Sequence, residues 1–188
     1  MTYEEMILLI RGTASPDAIE RRREEITELI PSLRVFSGES KGPEADRQWH
    51  RALNTLAALP ANCRDDMLYL AAMLHNIGST GTSSLPKQAR RSAEIVRVSV
   101  LPALLAAGAR ISETEQQRLL YYIEHHADHL GMDARDIITC MGNVPRDTFR
   151  NLMLLEAADS AACRLDPILL RREEACRAVA GLLRSRRA

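Results

Sequence analysis

The sequence predicts an all-α, single-domain helical bundle, and three observations lead there. Apolar residues recur at intervals of three and four almost throughout, no segment alternates as a half-buried strand does, and Pro, Gly and capping residues punctuate the chain at helix-length intervals. At 188 residues the chain is long enough for one full core and short for two. Hydrophobic residues make up 46%, yet no apolar run reaches the roughly 18 residues that span a bilayer. The start, "MTYEEMILLIRG", carries acids where a secretory leader needs bases, so a cytoplasmic protein is expected, with no membrane partner.

The elements follow in order. Thr2 and Glu5 have capping-box spacing before "MILLI", and Gly12 stops that helix. Ser15-Pro16 opens a second helix expected to run to about Ile30, before Pro31. Residues 31–43 read as the longest loop, 44–59 as a helix ending at Pro60, and Arg64 to Asn76 as the next. After the loop "GSTGTSS", a helix from about Lys87 must kink or stop at Pro102. Ser112 and Glu115 form a second capping box and open a helix expected to end at Gly131. A short helix near 133–141, a long one from Pro145 to about Asp166-Pro167 and a last one over 168–185 complete the chain. In these terms 1–43 is an N-terminal helical segment with its loop, 44–165 the core, and 166–188 a C-terminal helix.

Charge points to no particular partner. Lys+Arg and Asp+Glu are both 25, so nucleic acid is not the expected ligand, and the arginine clusters read most simply as solvated helix faces. The four cysteines lack C-x-x-C spacing, which argues for reduced thiols.

Several polar residues fall where apolar ones are expected. Leu119, Ile123, His126, Ala127 and Leu130 share a helical face that includes His126, with His125 and His129 on the adjoining face. In "NLMLLEAADSAACRL", Asp159 keeps company with Leu152, Leu155 and Cys163, which is costly for a carboxylate without a cation or several donors. In "RQWHRALNTLAAL", His50 is placed on a stripe with Leu53 and Ala57, and in "LYLAAMLHNIG" His75 and Asn76 stand where an apolar helix ends. Each has an ordinary alternative: a satisfied core histidine, a buried Asp–Arg pair or a backbone cap. Together, three imidazoles and a carboxylate from four helices suit a transition metal held inside a bundle.

The order His50, His75-Asn76, His125-His126, Asp159 resembles the HD-domain superfamily of metal-dependent phosphohydrolases. "LAAMLHNIG", "ARRSAEIV" and "LLEAADSAA" are similar to successive segments of that family, and residues 30–60 are similar to the entry of the HD domain in bacterial tRNA nucleotidyltransferases. The resemblance implies an all-α HD-like fold, with His50, His75, Asn76 and Asp159 as metal ligands. It implies Asp159 and His126 as catalytic groups, and Lys87, Arg90 and Arg91 as phosphate-binding groups whose simpler reading is an exposed helix face. Two departures weaken the site: Asn76 replaces the family's aspartate, and Lys87-Gln88 replaces a Gly-His. At most one divalent ion (Mn, Ni, Fe, Zn or Mg) is then expected, held weakly or not at all. The expected function is hydrolysis of a nucleotide or other phosphate ester. The alternatives are a degenerate domain that binds a nucleotide or a protein partner without turnover and, ranked last, an RNA-associated module. A homo-oligomer is left open.

Overall fold

Both expected capping boxes form. Thr2 Oγ1 accepts from the Glu5 amide at 3.2 Å and Glu5 Oε2 from the Thr2 amide at 2.9 Å, opening α1 (Tyr3–Gly12). The structure, a computed structural model, describes residues 1–12, 15–36, 43–61, 63–79, 84–163 and 167–184, and among them all regular structure is helical. No helix among them is long and apolar enough to cross a membrane.

The helix expected over 16–30 is two pieces, α2 (Pro16–Glu20) and α3 (Arg23–Leu29), and Ser15 makes no side-chain cap bond. The break falls beside Arg23, which turns onto the face of Trp49, 4.9 Å from its ring centroid, and reaches Asp46 at 3.2 Å. A 3₁₀ helix (Pro31–Phe36) begins the segment expected to be loop, the remainder of which (37–42) lies outside the described residues. Then come α4 (Pro43–Ala58) and α5 (Asp66–Leu74), the latter capped by Asp65.

Pro102 does not stop its helix. Helical structure runs from α6 (Leu85–Ile95) through a π turn (Val96–Val100) into α7 (Leu101–Ala106), and Pro102 stands in the first turn of α7, directly after the wider turn. Ser112 and Glu115 close their box on α8 (Glu113–His125), which ends six residues earlier than expected, in turns that continue to Gly131. Next are α9 (Ala134–Cys140), α10 (Arg146–Ala162) and α11 (Pro167–Arg184).

Two helices form the interior. Every residue from Met67 to Leu74 on α5 and from Asn151 to Ala161 on α10 is buried. A helix buried on all faces must be surrounded, and α4, α8 and α11 pack on α10 while α1, α4 and α8 pack on α5. Polar side chains within these two buried stretches therefore face protein, Asp159 among them, and His75, the residue that caps α5, is buried beside them.

Gly78 fixes how α6 meets the end of α5. Its amide donates to Ser92 Oγ at 2.9 Å, and a Cβ at this position would lie 2.6 Å from the Ser92 nitrogen and 2.9 Å from the Arg91 carbonyl carbon. Those atoms are helical backbone and cannot rotate away. Gly78→Ala should destabilise the fold by about 1–3 kcal/mol, the range for overpacking, read as a lowered urea midpoint at unchanged slope.

Candidate metal centre

His75 sits where α5 ends. Its amide still bonds to the Ala71 carbonyl at 2.8 Å, and its ring turns back so that Nδ1 donates to the Ala72 carbonyl at 2.8 Å. That leaves Nε2 pointing into the bundle, 3.0 Å from Asp159 Oδ1 and 2.7 Å from the Asn76 amide nitrogen. His126, in the turn after α8, is fixed the same way: Nδ1 donates to the Ile123 carbonyl at 2.7 Å, and its ring meets His75 edge-on with centroids 4.9 Å apart. Metal-binding imidazoles are commonly oriented by such a bond from the second nitrogen.

One ligand atom each from His75, His126 and Asp159 lies within 4.8 Å of the others, and all three residues are buried. Two imidazoles and one carboxylate are a donor set for Mn, Fe, Ni or Zn, so the residues present fit one ion. Asn76 is buried beside them, and a half-turn of its amide exchanges the nitrogen facing His75 for an oxygen.

His50 does not join them. The buried face of α4 is Trp49, Ala52, Leu53, Thr55 and Leu56, whereas His50, Asn54 and Ala57 are exposed. Taking His50, Leu53 and Ala57 as the stripe sets the helical phase wrongly, because Trp49 carries the larger apolar surface and determines which way the helix faces. The next residue, Arg51, lies at the edge of the buried sector and clamps the carboxylate instead. Its Nε donates to Asp159 Oδ1 at 2.8 Å and its Nη2 to Oδ2 at 2.9 Å, a two-pronged pair. The ordinary alternative for Asp159, a buried Asp–Arg pair, thus coexists with the histidine cluster.

A second network lies behind. Arg172 on α11 is fully buried, with Nη2 3.1 Å from Glu156 Oε2, Nη1 3.6 Å from Asp159 Oδ2, and a short hydrogen bond to the His126 carbonyl. Glu156 also contacts His129 Nδ1 at 2.6 Å. His129 is therefore buried and partnered, while Leu130, expected on the apolar stripe, is exposed. The helix ends at His125, and the turns that follow carry His129 inward. His125 is half-buried, 2.6 Å from Asp128 and against the Tyr121 ring, and is not part of the cluster. Lys87, Arg90 and Arg91 are exposed on α6. Sequence reasoning missed Arg51, Glu156 and Arg172; only Glu156 left a signal, as a second carboxylate in the same apolar run as Asp159.

Electrostatics follow from this packing. Burial pushes the His126 imidazole down to about 3, the neighbouring His75 adding to it, so its Nε2 lone pair is free at neutral pH. Burial alone raises the Asp159 carboxyl, but the charges of Arg51 and His75 outweigh that and hold it well below the usual range. Both groups bind fewer protons folded than unfolded, so both make stability fall with falling pH. His126 acts from about pH 6.5 down to its folded value, and Asp159 from about pH 4 downward. In the presence of a chelator, stability should drop as pH falls from 7 to 4, and His126→Leu should flatten that slope; an equal slope in both proteins would disprove the assignment to His126.

Compared with protein-family models, with curated proteins and with solved structures, the chain matches none.

Proposed function

We propose that the chain is an HD-type phosphohydrolase built around a single divalent transition metal, held by His75, His126 and Asp159 with Asn76 alongside, and acting on a nucleotide or other phosphate ester. The observation that carries this reading is the convergence of two imidazoles and a carboxylate within 4.8 Å inside the bundle, with both rings pinned through Nδ1. Such an ion supplies Lewis acidity and a more acidic water. The chain's own groups do the rest. His126 would hold the ion through its unprotonated Nε2, Asp159 would hold it through one oxygen and orient the attacking water with the other, and Lys87, Arg90 and Arg91 draw phosphate oxygens towards the α6 side. The test is hydrolysis of a panel of nucleotides and p-nitrophenyl phosphate with added Mn or Ni. The reading expects metal-dependent turnover that His126→Ala and Asp159→Ala abolish; turnover that survives both changes, or none with any metal, rules it out.

A second reading, a degenerate domain that binds a ligand or partner without turnover, draws on the Arg51 clamp. A guanidinium bonded to both oxygens of Asp159 already neutralises the one carboxylate of the set. The two readings separate on metal content: a degenerate domain stays empty at millimolar Mn, whereas the proposed enzyme takes up one ion.

A further inference from the structure

The other ends of α5 and α10 hold a second polar site. His75 and Asp159 lie at the C-terminal ends of these two buried helices. Asp65 caps the start of α5, and Asn151 stands near the start of α10, eight residues from Asp159, or about 12 Å along the axis. Between them opens a cavity of about 440 Å³ whose lining includes Arg64, Asp65, Arg118, Arg150, Asn151 and Arg184.

Three of its four carboxylates, Asp65, Asp66 and Glu115, have partners given by the fold, and the fourth, Asp147, is exposed. Asp65 accepts from Tyr122 at 2.7 Å, from Asn151 Nδ2 at 2.9 Å and from the Met67 amide at 3.1 Å. Asp66 pairs with Arg11 at 2.9 Å, and Glu115 closes the capping box on Ser112. Its donors and acceptors are not all committed. Arg150 Nε and Asn151 Oδ1 are both buried with no hydrogen-bond partner among the described residues, and Asn151 is only 8% exposed. Because Asn151 spends its nitrogen on Asp65, the oxygen left over requires a donor, while Arg150 requires an acceptor. A buried polar atom left unpaired costs free energy that a ligand recovers.

We infer that this cavity is a binding site for a small phosphate monoester carrying a free hydroxyl: Arg150 takes the phosphate, with Arg64, Arg118 and Arg184 adding charge, and the hydroxyl donates to Asn151 Oδ1. Guanidinium groups match phosphate oxygens in both charge and geometry. The site stands apart from the metal cluster and does not depend on the phosphohydrolase reading.

The test is calorimetric titration of chelator-treated protein with methyl phosphate and with glycerol 3-phosphate at fixed ionic strength. One site should bind both, glycerol 3-phosphate more tightly by about threefold or more through its hydroxyls, and Arg150→Gln should weaken both about tenfold or more. Should Arg150→Gln fail to fold, the exposed pair Arg64→Ala/Arg184→Ala serves, with weakening of both ligands expected. Equal affinity for the two esters overturns the role of Asn151. Absence of binding, or binding unchanged in the arginine variants, overturns the site. Binding seen only when metal is restored, and indifferent to those arginines, assigns phosphate to the histidine cluster and overturns it as well.

Discussion

Arg172→Ala should cost the fold about 3–5 kcal/mol, because it removes one partner from a buried charge network and leaves the others without water to replace it. Arg172 touches three groups at once: Glu156 at 3.1 Å, Asp159 at 3.6 Å and the His126 carbonyl. Without it, Glu156 retains His129 at 2.6 Å, and Asp159 must rely on Arg51 and His75. Arg172→Lys should fall in between, since an ammonium restores the charge but not the planar fork. A double change, Glu156→Gln with Arg172→Met, should recover more than half of the loss, because neither charge is then stranded. Equilibrium unfolding in urea measures all three. A loss below about 1 kcal/mol for Arg172→Ala would mean that water enters and solvates the network.

Arg51→Met should have the opposite effect on metal binding by His75, His126 and Asp159 and strengthen it. The guanidinium competes with any ion for both oxygens of Asp159, and hydrogen bonds between charged groups are worth about 1.5–3 kcal/mol. The Arg51 side chain is 20% exposed, so part of that value is lost to solvent, and a gain of about tenfold in Mn affinity is expected. The metal-free variant should be less stable than wild type, with Mn restoring the difference in its melting temperature. Asn76→Asp adds a negative charge at the same cluster, and should raise affinity by about 1–3 kcal/mol. If Arg51→Met leaves Mn affinity unchanged, Arg51 does not compete with the ion for Asp159.

How much was legible in the sequence depended on how far each signal was local. Capping boxes at Thr2 and Ser112 use residues three apart, so they read directly and formed as expected. Asp159 and His126 were legible as polar residues among apolar neighbours, and both are buried. His50 was misplaced because a stripe of three residues fixes helical phase poorly, and a 100° error exchanges His50 for Arg51. Arg172 was not legible: its partners lie on α10 and in the turn after α8, and only tertiary packing joins them. The π turn before Pro102 was hidden for a related reason, since a proline announces a missing amide without saying which kind of turn precedes it.

Whether His75, His126 and Asp159 together bind one divalent ion is read by calorimetric titration of Mn into chelator-treated protein. Wild type should bind a single equivalent, weakly, and Asp159→Asn, which keeps the shape but removes the only carboxylate of the set, should abolish the binding. Absence of Mn uptake by wild type, or uptake that Asp159→Asn leaves unchanged, would contradict binding at these three residues.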